Sequence, residues 1–222
     1  AFQPMGDEVM VMGDLVLTHD EVNPVLSRLL AGGFTITALH NHLLRSAPAT
    51  MYMHIAAHGD PIRLAAALRQ ALAASRTPMT PPSAGAGAPS RIDLSAGALD
   101  RLLGANGKVN GGVLQYSFPR AERLMDGGMA TPPSLGTATA INFQPTGGGK
   151  AAITGDFVLI ASEVDPVLKA LRASGIEVTA LHNHMLNDEP RLFFMHFWAN
   201  DDAAKLARGL RSALDRMNNQ RS

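Results

Sequence analysis

The chain repeats itself. Gly13-Asp14-Leu15-Val16-Leu17 returns as Gly155-Asp156-Phe157-Val158-Leu159, and Glu21-Val22-Asn23-Pro24-Val25-Leu26 returns as Glu163-Val164-Asp165-Pro166-Val167-Leu168. Thr37-Ala38-Leu39-His40-Asn41-His42 returns as Thr179-Ala180-Leu181-His182-Asn183-His184, and Met53-His54 as Met195-His196. The offset is constant, since 182 − 40 and 196 − 54 both equal 142, and it runs without a gap from Gly13 to Leu72. Upstream, Phe2-Gln3-Pro4 matches Phe143-Gln144-Pro145 one residue out of step, so one residue was gained or lost in the hairpin between. Two long copies do not make a solenoid; they imply one duplicated domain.

The second copy reads from its first strand to its last helix. An extended segment over 140–144 and a Thr146-Gly147-Gly148-Gly149 turn precede a strand over 150–159 rich in apolar and β-branched residues. Ser162 as N-cap, Pro166 in the first turn and Gly175 beyond the end frame a helix over 163–173. Strands over 176–186 and 191–199 flank a turn at 187–190, and Asn200 or Asp201 caps a helix running to about Met217. The order is β-β-α-β-β-α. In the first copy Thr18 and Glu21 have capping-box spacing, and Asp60-Pro61 opens the last helix, which ends near Ala74. The expected class is α+β, a tandem duplication of a ββαββα unit with antiparallel sheets packed on helices. The domains are 1–74, N-terminally incomplete; an Ala/Pro/Gly/Ser linker at 75–91; and 92–222, which includes a helix at 94–103 and a strand at 112–119 before the second copy. By symmetry about 50 further residues are expected upstream of Ala1.

Composition removes several classes. Lys plus Arg and Asp plus Glu are both 19, and aromatic residues are 5%, so neither phosphate binding nor base stacking is favoured and no nucleic acid is expected. There is no cysteine, which excludes disulfides, thiolate nucleophiles and Cys-ligated metals. No apolar run reaches the roughly 20 residues of a transmembrane helix. The 46% hydrophobic content gives each copy enough for a core.

Six of the eight histidines occupy matched positions. His40 and His42 are two apart on one expected strand and so share a face. The turn near Ala47 sets a register that puts His54 opposite or nearly opposite His40, with Cβ atoms roughly 5 Å apart. His40, His42 and His54 form one expected triplet, and His182, His184 and His196 another. Neutral imidazole is the commonest nitrogen ligand, and three ligands with an open position mark a reactive metal site. The expected ion is a divalent transition metal, zinc first, with copper, nickel or iron as alternatives. The competing reading makes these histidines ordinary hydrogen-bonded sheet residues.

Further ligands or acid–base groups are sought in Asp14 and Asp156, Glu21 and Glu163, and Gln3 and Gln144, although the glutamates also suit a first helical turn. Asn41 and Asn183 are expected to bond locally on the opposite face, with Met53 and Met195 in the core. Tyr52 and Phe194 should wall the site, with Trp198 on the same face. His19 and His58 have no matched partner and read as surface residues. His-Asn-His contiguous on one strand is unlike the nuclease motif of the same letters, and the Gly147–Lys150 stretch is a hairpin turn, not a phosphate loop.

Ile141-Asn142-Phe143-Gln144-Pro145-Thr146-Gly147-Gly148-Gly149-Lys150, Thr179-Ala180-Leu181-His182-Asn183-His184 and Phe194-Met195-His196-Phe197-Trp198-Ala199-Asn200 resemble the LppY/LpqO family of bacterial proteins of unknown function, over nearly the whole chain. The resemblance implies a longer N-terminal part and export to the periplasm or the cell surface, with a lipid anchor in some members, and no established reaction. Three functions follow from the residues. One is an exported protein that binds and handles a transition metal. A second is a metal-dependent enzyme, a hydrolase or an oxygen-using one. The third is an assembly or ligand-binding module with structural histidines. A homo-oligomer stays open under each.

Overall fold

The computed structural model describes residues 1–80 and 92–220, so most of the expected linker, 81–91, and the last two residues lie outside the described part. The first unit runs β1 (Phe2–Met5), β2 (Glu8–Thr18), α1 (His19–Ala31), β3 (Thr35–His40), β4 (Thr50–Gly59), α2 (Pro61–Leu72). A connecting segment follows with α3 (Ala96–Leu103), β5 (Lys108–Asn110), β6 (Val113–Pro119), β7 (Met125–Asp126), β8 (Met129–Ala130) and a 3-10 turn at Pro133–Leu135. Then come β9 (Ala138–Gly147), β10 (Lys150–Leu159), α4 (Ala161–Ala173), β11 (Glu177–His182), β12 (Asp188–Glu189), β13 (Phe193–Asp202) and α5 (Ala203–Leu214).

The class is mixed α+β, with every strand pairing among the described residues antiparallel. One sheet has the order β1-β2-β4-β3; the other is β11-β13-β10-β9-β6-β5; a small third sheet, β12-β7-β8, was not expected. In register the two large sheets coincide at the offset of 142. Asp14 lies opposite His54 and Asp156 opposite His196, and the β3 and β11 ladders slip at Ile36/Ala38 and Val178/Ala180.

Alternation along the central strands sorts the layers. Met53 packs with Val22, Val25 and Leu29 of α1 and Leu64 of α2; Met195 packs with Val167 and Leu171 of α4 and Leu206 and Leu210 of α5. The neighbouring His54 and His196 therefore point to the helix-free faces. There Met10 and Met12 of β2 pack with Val158 and Phe194 from the other sheet and Met185 from the loop after β11. The two sheets thus meet through their helix-free faces, and the histidines lie in that seam. Close packing also fixes Gly155, where an added methyl would sit 1.9 Å from the Ala140 carbonyl oxygen.

Several expected boundaries move. The strands end at His40 and His182, so His42 and His184 lie in the bends that follow and not on the strand. Helix α4 starts at Ala161, with Ile160 rather than Ser162 at the cap, because Glu163 supplies the cap by accepting the Ile160 N–H at 2.9 Å. Asp202, not Asn200 or Asp201, caps α5 by accepting the Lys205 N–H, just as Asp60 accepts the Arg63 N–H in α2.

Glu21 and Glu163 are structural. Each accepts the backbone N–H at the start of its own helix, Thr18 or Ile160, and the N–H of the segment leaving the unit's last helix, Arg76 or Asn218. Glu163 is also held by the fully buried Arg120, at 2.6 and 3.0 Å. Arg120 also donates to Glu122, at 3.0 and 2.9 Å, so removing the Glu163 charge leaves the buried guanidinium only partly compensated, at a cost towards the lower end of the roughly 3–5 kcal/mol of a broken buried pair. Glu163→Gln should therefore lower the urea midpoint sharply, whereas Glu21→Gln, whose Arg76 partner is exposed, should lower it much less; equal losses would contradict this assignment.

Candidate metal centre

Every one of the six matched imidazoles enters the seam between the sheets. His54 and His196 come from the central strands, His40 and His182 from the ends of the edge strands, and His42 and His184 from the bends after them. Within a unit, the His40 ring centroid lies 5.0 Å from that of His42 and 4.9 Å from that of His54; the second unit gives 4.8 Å and 4.9 Å from His182 to His184 and His196. The expected register is off by one pair, since His40 faces Tyr52 and His54 faces Ala38. His54 and His40 are diagonal neighbours, nearly opposite rather than directly paired, because the turn between β3 and β4 brings Tyr52 against His40.

The two triplets are not separate. His40 stacks on His182 with centroids 3.4 Å apart, His42 on His196 at 3.7 Å, and His54 on His184 at 3.6 Å. The 142-residue offset carries the second of these pairs into the third and the first into itself, which is the pattern of a twofold, self-complementary contact. Tyr52 stacks on His42 at 3.5 Å and Phe194 on His184 at 3.5 Å, walling the cluster on both sides as expected.

All six Nε2 atoms are shut off from solvent and none has a hydrogen-bond partner. Leaving buried polar atoms unpaired costs about 1–3 kcal/mol each, so six together call for a ligand. The far sides of three rings are tied down. His40 Nδ1 lies 3.2 Å from the Asn41 carbonyl, His182 Nδ1 3.3 Å from that of Asn183, and His196 Nδ1 3.1 Å from that of Gly155. A carbonyl can only accept, so the proton sits on Nδ1 and the Nε2 lone pair is left bare, the second-sphere arrangement of metal-ligating histidines. Nitrogens of His40, His42, His182 and His184 lie within 4.8 Å of one another and could hold a metal ion.

Burial is the main reason that all six imidazoles resist protonation, and their mutual repulsion adds to it for most. His182 is lowered to about 4, His54 and His196 to about 3 and His42 to about 2, with His40 and His184 also lowered. They are neutral at pH 7, the form that binds metal.

Beside the rings lies a cavity of about 500 Å³, lined by Asp14, Asp156, His42, His54, His184 and His196 among others. Burial raises both carboxyl groups to about 7, and for Asp156 the charge of Asp14 contributes. The expected candidates thus separate. Asp14 and Asp156 join the histidines; Glu21 and Glu163 cap helices; Gln3 and Gln144 are not among the residues lining the cavity. Asn41 and Asn183 bond locally, to the carbonyls of Leu43 and Leu192. His19 is exposed, and His58 lies 3.3 Å from Glu8. Trp198 borders a different recess with Leu43, Leu44 and Thr179. The 134–137 loop that roofs the cavity carries no motif and went unnoticed in the sequence.

A family model described as Domain of Unknown Function (DUF1259) matches residues 1–74 and 97–216, and the chain belongs to that family. No curated protein and no solved structure matches it.

The titrations set a pH dependence. Unfolded histidine takes up a proton near pH 6.5, which the buried cluster refuses, so the histidines' contribution is complete above that value and is lost as pH falls towards 4. The two raised carboxyls act in the opposite sense, but six groups outweigh two. The urea midpoint of the metal-free protein should fall steadily from pH 6.5 to pH 4; a flat profile would contradict the buried, neutral cluster.

Proposed function

We propose that this member of an uncharacterised family is an exported protein that binds a divalent transition metal at one composite histidine centre, built jointly by its two halves. The observation that carries the reading is the set of six buried, unpartnered Nε2 atoms in one seam. The halves are read as a tandem duplication of a ββαββα unit, 1–74 and 92–222, joined by 75–91. His40, His42, His54, His182, His184 and His196 are the proposed ligand set. An all-imidazole set suits zinc, copper, nickel or iron and disfavours magnesium and calcium, which take oxygen ligands. Zinc is the first choice, because a set of neutral nitrogen ligands suits it and demands no redox chemistry. Export to the periplasm or cell surface follows from the resemblance to the LppY/LpqO proteins, and no helix among the described residues is long and apolar enough to cross a membrane.

A second reading, a metal-dependent hydrolase, is favoured by one observation: the cavity that opens beside the rings contains two carboxyl groups poised near neutrality. A bound ion would supply Lewis-acid polarisation there, and Asp14 or Asp156 could take or give a proton at its carboxylate oxygen.

Elemental analysis of the purified protein decides between one shared centre and two independent ones. Replacing His40, His42 and His54 by Ala, in the first unit alone, should abolish metal binding, with the circular-dichroism spectrum retained. Two independent centres would leave half of the metal in place, and a metal-free wild-type protein that takes up no ion would overturn the reading. Loading at a hundredfold excess over Kd should stabilise the wild type by about 2.7 kcal/mol and leave the triple variant unmoved.

A further inference from the structure

The imidazole centre leaves two carboxylates without a role. Asp14 and Asp156 project from matched positions of β2 and β10 into the same cavity, and no lysine or arginine lines it. Asp14 is exposed and Asp156 half-buried, so two like-charged groups face one cavity with no cationic side chain between them. Asp14 Oδ1 lies 3.7 Å from His54 Nε2, a spacing too long for a hydrogen bond and open to an ion between them. Asp14, His42 and His54 offer three ligand atoms within 4.8 Å of one another, a group distinct from that of His40, His42, His182 and His184. His54 itself is only 8% exposed, and its Nε2 is unpartnered.

We propose that the cavity holds a second divalent cation, bound by Asp14, His42 and His54 with Asp156 completing its charge balance, next to the ion of the imidazole centre. The inference rests on the metal reading above. His42 stands in both groups, and one nitrogen lone pair serves one ion. Assigning it to the outer position leaves His40, His182 and His184 for the inner one. Each ion then has three protein ligands, the number that keeps coordination positions open. The two sets differ in kind: the inner is all nitrogen, the outer mixes nitrogen with a carboxylate oxygen and balances a double positive charge with two negative ones. Paired ions of this sort hold oxygen-containing groups between them, and the cavity gives such a group room to enter.

Titration of the metal-free full chain with Zn(II), followed by gel filtration and elemental analysis, should give two ions per chain for the wild type. Asp14→Asn with Asp156→Asn should give one. A wild type that holds a single ion, or a double variant that still holds two, overturns the second position and leaves the imidazole centre standing; no ion in either overturns both. If the double variant fails to fold, Cu(II) loading of the wild type decides. The first equivalent should give an isolated electron-spin resonance signal, and the second should diminish it through spin coupling. A second equivalent that adds an independent signal, or is not taken up, overturns the proposal.

Discussion

Six bare imidazole nitrogens meeting between two sheets constrain everything else in this structure. Unpaired buried polar atoms are few in a protein interior, and six gathered at one point are the largest such group among the described residues. The sheets turn their helix-free faces to each other, and the strand ends, the bends after them and the aromatic walls at Tyr52 and Phe194 all serve to keep three pairs of rings stacked across the seam. The apolar contacts of Met10 and Met12 with Val158, Phe194 and Met185 surround that polar core with a dry rim. A low-dielectric rim keeps the rings neutral, and a neutral imidazole keeps a nitrogen lone pair free.

Much of this was legible in the sequence, and the reasons differ by residue. The 142-residue offset exposed the six ligand candidates because two copies within one chain show which positions both have kept. Period-two alternation placed Met53 and Met195 in the core and Tyr52 and Phe194 beside the rings, since strand parity is a local property. Register was less secure. The turn between β3 and β4 sets His40 against Tyr52 and leaves His54 diagonal to it, and a shift of two residues keeps every side chain on its face, so alternation alone does not distinguish the two registers.

What escaped the sequence is how the halves face each other. Periodicity describes one strand and its neighbours; it carries no information on which sheet face meets which. Two triplets were therefore expected, where the structure has one cluster. The same limit hid Arg120. It lies in the connecting segment, outside both copies of the repeat, yet it is fully buried against Glu163, where the corresponding Glu21 has the exposed Arg76.

The self-complementary ring contact has a consequence for how such a centre arises. One unit alone could build it only by meeting another copy of itself, at a rate and occupancy set by concentration. Carrying both units on one polypeptide makes that encounter intramolecular, at an effective concentration fixed by the tether. It also releases the halves from having to be identical. The 134–137 loop lines the cavity beside the rings, so a segment from outside the two ring-bearing hairpins helps to shape the space that a molecule approaching the cluster would meet.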